Sequence, residues 1–155
     1  MNLDLDCDNC VILDSLDIEC AGVNCADGYS DFSGLCYKFV DEKVSVYAAT
    51  SACNNDGAVL ASVHDEATNN FLASFTSDRI WLGGFSSTPR DTDSWSWADG
   101  SEWNYDNWSR FQPDFGHETF LETNFDQFGG GLGRWNNVVG LWRKNAFVCQ
   151  KSAEE

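Results

Sequence analysis

Apolar side chains between residues 44 and 73 repeat at helical spacing and predict two consecutive helices. Residues 44–55 form the first predicted helix, and Gly57 suits its end because glycine readily adopts the left-handed conformation of a helix terminus. Asp65 precedes the second predicted helix and can accept hydrogen bonds from its first turn. The pattern therefore places two short helices one after the other.

Strands are predicted on both sides of these helices. Residues 37–40 form a short predicted strand, and residues 146–149 form the last one. From about Ser77 to Arg134 the chain alternates strands with loops rich in Trp, Gly, Asp and Ser. This order predicts an α+β domain with two helices, small antiparallel sheets and a long loop region.

The first 24 residues differ from the rest in composition. They carry six acidic residues, no Lys or Arg, and three of the cysteines. A segment this short and this acidic cannot build a core of its own. We therefore predict an acidic, cysteine-containing arm at residues 1–24 and one folded domain at residues 25–152.

The charge and length of the chain exclude several classes of function. The 155 residues have a formal net charge of −16, which repels nucleic acid phosphates and anionic lipid. No apolar run approaches the roughly 20 residues of a membrane-spanning helix, so we expect no membrane insertion. Seven cysteines against two histidines favour the disulfides of a secreted, extracellular protein over zinc ligands.

Spaced tryptophans and glycines in the middle of the chain form an ordered series of motifs. Residues 81–84 read Trp-Leu-Gly-Gly, residues 95–101 read Trp-Ser-Trp-Ala-Asp-Gly-Ser, and residues 105–108 read Tyr-Asp-Asn-Trp. In this order the chain from Cys25 to Cys149 resembles a C-type lectin-like domain. The resemblance implies the C-type lectin fold, with buried tryptophans beneath long loops.

The resemblance also implies a disulfide pattern. The long form of the family would pair Cys25 with Cys36 and Cys53 with Cys149. A further family bridge beneath the binding loops has no cysteines here, because Phe120 and Gly140 occupy its two positions. Three cysteines are left over, and an odd remainder leaves at least one free or paired with another chain, so a homo-oligomer stays open through Cys7, Cys10 or Cys20.

A short proline-containing motif carries the expected metal chemistry. Residues 112–114 read Gln-Pro-Asp, which resembles the family triplet that flanks a cis-proline and turns two side-chain oxygens toward one calcium ion. The resemblance implies one Ca²⁺ site with five ligands: Gln112, Asp114, Glu118, Asn136 and Asn137. A second site of the family is not expected, because its acidic positions hold Ser86, Arg90, Phe115 and Thr119.

Asn137 departs from the family pattern, which has aspartate there. Asparagine keeps the oxygens but removes one negative charge, which weakens calcium binding by about 1–3 kcal/mol at an effective dielectric near 20. We therefore expect the calcium site to be weaker than in a typical member.

The order Gln-Pro-Asp is associated in the family with galactose and N-acetylgalactosamine. The residues expected to bind carbohydrate are Gln112, Asp114, Phe115, Glu118 and Asn136. Phe115 either stacks on the apolar face of the sugar or packs within its loop. No zinc-protease, serine-hydrolase or phosphate-binding motif is present, so we expect no enzyme activity. The alternative is a calcium-poor lectin-like domain that serves protein–protein recognition or extracellular assembly.

Overall fold

A computed structural model describes residues 10–14, 17–20, 22–114, 117, 119–125 and 131–154. Two helices and ten strands lie along these residues. In chain order they are β1 (Cys10–Asp14), β2 (Asp17–Cys20), β3 (Ser30–Phe32), β4 (Leu35–Val44), α1 (Val46–Asn55), β5 (Val59–Leu60), α2 (Glu66–Ala73), β6 (Ile80–Ser86), β7 (Ser96–Trp97), β8 (Thr119–Thr123), β9 (Asn136–Val138) and β10 (Asn145–Ser152). A single 3₁₀ turn at Thr92–Ser94 lies between β6 and β7.

Both predicted helices are present, and side-chain caps define where they begin. The Asp65 carboxylate accepts a hydrogen bond from the Thr68 amide at 2.7 Å, which confirms the predicted start of α2. The first helix begins at Val46, two residues later than predicted, because Val44 is the last residue of β4 and Ser45 is the cap. Within the described chain, neither helix is long and apolar enough to cross a membrane.

The sheet consists of two antiparallel parts joined by one parallel pair. Its strand order is β3-β4-β10-β6-β8-β9, with β5 paired to β10 and β7 paired to β6. Strands β10 and β6 run parallel, with Ala146 opposite Ile80, whereas the other pairs are antiparallel. The part formed by β6, β8 and β9 carries the candidate site described below.

The segment predicted as an arm contains a separate hairpin. Strands β1 and β2 pair with each other in an antiparallel sheet, and their register sets Cys10 opposite Cys20. Cys7 lies outside the described residues. The hairpin adds backbone pairing that the composition of the arm did not predict.

Two disulfides tie the domain together, and they join the pairs that the family resemblance implies. Cys25 is bonded to Cys36 in the N-terminal part, and Cys53 in α1 is bonded to Cys149 in β10. At the place of the missing third bridge, the ring of Phe120 covers Gly140. A Cβ atom on Gly140 would lie 2.9 Å from Phe120 Cδ2, so the large and the small residue are matched in shape.

We expect Gly83→Ala to lower the free energy of unfolding by about 2 kcal/mol, within the range for overpacking a core. A Cβ atom at Gly83 would lie 2.4 Å from the Leu60 carbonyl oxygen, a backbone atom that cannot rotate away. Urea denaturation measures the loss. Gly34→Ala is the control, because its Cβ would meet no atom within 4 Å and only its positive φ of 88° adds strain, about 1 kcal/mol. A smaller loss at Gly83 than at Gly34 would contradict this prediction.

Candidate functional site

The candidate site lies where the loop containing Gln112 and Asp114 meets strand β9. The loop is fastened to the residue before β9 by backbone hydrogen bonds on both sides of Trp108. The Ser109 amide donates to the Trp135 carbonyl at 2.8 Å, and the Trp135 amide donates to the Asn107 carbonyl at 2.9 Å. These bonds set the Gln-Pro-Asp loop beside Asn136 and Asn137.

An aromatic cluster supports the loop from below. The ring of Trp135 makes edge contacts with Trp97, Trp103 and Trp108 at centroid distances of 5.7, 5.7 and 5.8 Å. Trp135 is fully buried, and its indole N–H donates to Asn69 Oδ1 at 2.8 Å. These four tryptophans therefore form the base of the site, because such rings bury a large area and pack edge to face.

Asp114 and Asn137 are held together by reciprocal hydrogen bonds. The Asp114 amide donates to Asn137 Oδ1 at 2.8 Å, and Asn137 Nδ2 donates to the Asp114 carbonyl at 3.2 Å. Asn137 is only 4% exposed. The peptide bond between Gln112 and Pro113, next to this pair, is cis. Two predicted site residues from distant parts of the chain are thus brought together.

Gln112 contributes an oxygen atom that has no partner among the described residues. Its backbone amide closes a turn by donating to the Ser109 carbonyl at 3.0 Å. Its side-chain Oε1 is buried and, among the described residues, accepts no hydrogen bond. Burying an amide oxygen without a partner costs free energy, so this atom calls for a hydrogen-bond donor or a cation. A calcium ion, which prefers oxygen ligands, fits that requirement.

Asn136 has a different partner from its neighbour Asn137. Its Nδ2 donates to Glu122 Oε2 at 3.1 Å, whereas Asn137 reaches Asp114. The structure therefore joins Asp114 to Asn137 directly and joins Asn136 to a buried carboxylate instead.

The remaining predicted site residues, one for carbohydrate and one for calcium, lie outside what the structure describes. Phe115 and Glu118 are not among the described residues, and His117 between them is exposed. In the described part of the chain, no three His, Cys, Asp or Glu side chains come close enough to hold a metal ion. The described groups that could serve as oxygen ligands of a calcium ion are thus the carboxylate of Asp114 and the side-chain amides of Gln112, Asn136 and Asn137.

Glu122 is the polar residue of this region that sequence reasoning missed. It is 0% exposed and forms ion pairs with Arg79 at 3.3 Å and Arg143 at 3.2 Å. The sequence carries no signal for it, because both arginines and both asparagines that contact the carboxylate are at least 14 positions away along the chain.

A second polar cluster lies away from this site. The hydroxyl of Ser101 is hydrogen-bonded to His64 Nε2 at 2.9 Å, but it also donates to the Asp99 carboxylate. Burial raises the pKa of Asp99, yet hydrogen bonds from Ser101, Ser62 and Gln150 outweigh this and hold the pKa below its ordinary value. Because the Ser101 hydroxyl is committed to Asp99, His64 is not placed to activate it as a nucleophile.

The fold and the motif order define a C-type lectin domain. The family profile described as "Lectin C-type domain" matches residues 42–151, and the chain belongs to this family. The galactose-specific lectin nattectin of Thalassophryne nattereri is 31% identical over 137 residues, which cover 83% of this chain and 81% of nattectin.

Solved structures show the same fold. The cow C-type carbohydrate-recognition domain of CD23, determined in the presence of a GlcNAc2Man3 oligosaccharide, has a TM-score of 0.73 at 23% identity and covers 86% of this chain and 99% of that chain. A calcium-independent type II antifreeze protein has a TM-score of 0.71 at 19% identity and covers 86% and 98%. At these identities the likeness concerns the fold alone.

Proposed function

We propose that this domain binds carbohydrate through one calcium ion held by Gln112, Asp114, Glu118, Asn136 and Asn137. The observation that carries the proposal is the buried Oε1 of Gln112, which accepts no hydrogen bond within the described chain. Gln112 is two positions before Asp114 in the sequence. Calcium binds six to eight oxygen ligands, so protein oxygens leave positions that two sugar hydroxyls can fill. The same carboxylate and amide groups then accept and donate hydrogen bonds to those hydroxyls.

The proposed sugar is galactose or N-acetylgalactosamine. The order Gln-Pro-Asp at residues 112–114 supports this preference, because the acidic side follows the proline. The printed name of nattectin, a galactose-specific lectin, points the same way. Phe115 would cover the apolar face of the sugar ring, and Glu118 would complete the ion site.

The domain acts outside the cell in this proposal. The described residues contain two disulfides, Cys25–Cys36 and Cys53–Cys149. Disulfides of this kind persist in oxidising compartments, which supports secretion. Extracellular calcium-binding modules commonly have dissociation constants of about 10⁻⁴–10⁻³ M, and millimolar calcium would then load even a modest site.

Chromatography on immobilised galactose tests the proposal. We expect the protein to be retained in millimolar calcium, to elute with a chelator, and to pass through a mannose resin under the same conditions. Calorimetry should show calcium binding first and galactose binding only in its presence. Absence of both ion and galactose binding in millimolar calcium would overturn the proposed function.

The second candidate function is calcium-poor recognition of protein or extracellular assembly. It is favoured by Asn137, whose amide oxygen and nitrogen are both engaged by the Asp114 backbone. The side chains of Leu141 and Trp142 are also exposed, Trp142 by 87%, next to β9. Gel filtration with and without chelator, and a gel run without reductant, separate the two functions. A covalent or chelator-insensitive assembly with no glycan retention would favour this second function.

A further inference from the structure

A buried carboxylate contacts Asn136, one of the proposed calcium ligands. Glu122 in β8 stands opposite Asn136 in β9 in the strand register, and its side chain has no exposed surface. Four nitrogen atoms surround its two oxygens at 3.0–3.3 Å: Asn136 Nδ2, Asn145 Nδ2 and Arg79 Nη1 donate hydrogen bonds, and Arg143 Nε forms an ion pair. A charge is tolerated at this depth only with such partners, so the group is built around the carboxylate.

We propose that Glu122 is a positioning residue that fixes which atom of the Asn136 amide faces the calcium ion. This inference rests on the proposed function. A side-chain amide carries its nitrogen and its oxygen on opposite branches of one plane. Because Nδ2 is bonded to Glu122 Oε2 at 3.1 Å, Oδ1 points away from Glu122. Oδ1 is then the atom of this amide that can face the ion.

The carboxylate imposes this orientation because it only accepts hydrogen bonds. A carboxylate flanked by two guanidinium groups cannot donate to an amide oxygen, so rotating the Asn136 amide by half a turn would set oxygen against oxygen. The same rotation would present N–H groups to the cation. Arg79 and Arg143 hold the carboxylate in place through separate oxygens, so Glu122 itself cannot turn aside.

Two charge-matched double variants test the role of the acceptor. The methionine version carries both Glu122→Met and Arg143→Met. It exchanges an ion pair for apolar side chains, a change that buried pairs often tolerate. The glutamine version carries both Glu122→Gln and Arg143→Met. It has the same net charge as the methionine version but keeps an acceptor oxygen at position 122. We expect the methionine version to weaken calcium binding about tenfold or more, as loss of such a supporting contact does elsewhere, and the glutamine version to recover most of that affinity.

Asn145→Ala is the control for a purely structural role. It removes a donor to Glu122 Oε1 but leaves the Asn136 contact intact, so stability should fall while calcium affinity stays unchanged. In a protein that already carries Asn136→Ala, the methionine version (Glu122→Met and Arg143→Met) should cause no further loss of calcium affinity. An equal loss in both backgrounds would show that the effect is electrostatic or structural and would overturn the positioning role.

A measurement without calcium gives an independent readout. In the ion-free protein, the side-chain amide signals of Asn136 in nitrogen–proton NMR spectra should shift in the methionine version and return in the glutamine version. Unshifted signals would overturn the inference even if calcium binds. A wild-type protein that binds no calcium would overturn the proposed function and the inference together, whereas normal calcium binding by both variants would overturn the inference alone.

Discussion

We expect replacement of both Cys53 and Cys149 with alanine to lower the free energy of unfolding by about 4.7 kcal/mol. The two cysteines are 96 positions apart, and a cross-link that closes a loop of this length removes a large conformational entropy from the unfolded chain. The bridge also ties α1 to β10, the strand that pairs with β4, β5 and β6. Urea denaturation of the oxidised wild type and the variant gives the difference.

The shorter bridge provides the matched control. Cys25 and Cys36 are 11 positions apart, and the same relation gives about 2.8 kcal/mol for their replacement with alanine. The order of the two losses is therefore set by loop length. A loss for the Cys25 and Cys36 pair equal to or larger than that of the long bridge would contradict the entropic explanation.

We expect the calcium affinity of the proposed site to rise about 5- to 150-fold in Asn137→Asp, since an added negative charge beside the ion contributes about 1–3 kcal/mol after screening. The aspartate can still accept a hydrogen bond from the Asp114 amide, but it loses the donor to the Asp114 carbonyl. Without calcium the new carboxylate faces that carbonyl oxygen, and the variant should unfold at a lower temperature than the wild type. Calcium should then raise its melting temperature by more than that of the wild type.

Asp114→Asn is the opposite change at the same contact and should abolish retention on galactose resin. Its backbone bonds to Asn137 are kept, so its stability without calcium should stay close to that of the wild type. Calorimetry measures both affinities, and melting curves with and without chelator measure both stabilities. If Asn137→Asp binds calcium no more tightly than the wild type, the ion does not lie beside this pair.

Local signals accounted for the parts of the fold that depend on neighbouring residues. Asp65 marks the start of α2 in the sequence because a cap needs only a side-chain oxygen and the amide three residues on. The predicted start of the first helix at Val44 was wrong. Val44 is apolar and stands at helical spacing, but it is the last residue of the long strand β4. Trp81, Trp95 and Trp97 were correctly expected to be buried, whereas Trp108 is only partly buried.

The sequence by itself determined the family, the two helices with the Asp65 cap, the α+β class and the placing of Gln112 and Asp114 in one motif. Tertiary structure alone decided that Asn137 is bonded to the Asp114 backbone and that Asn136 is bonded to Glu122. The reason is physical: caps and turns arise from atoms a few residues apart, whereas these contacts join β8, β9 and a distant loop. Their geometry depends on the strand register, which sets the face and the partner of each side chain.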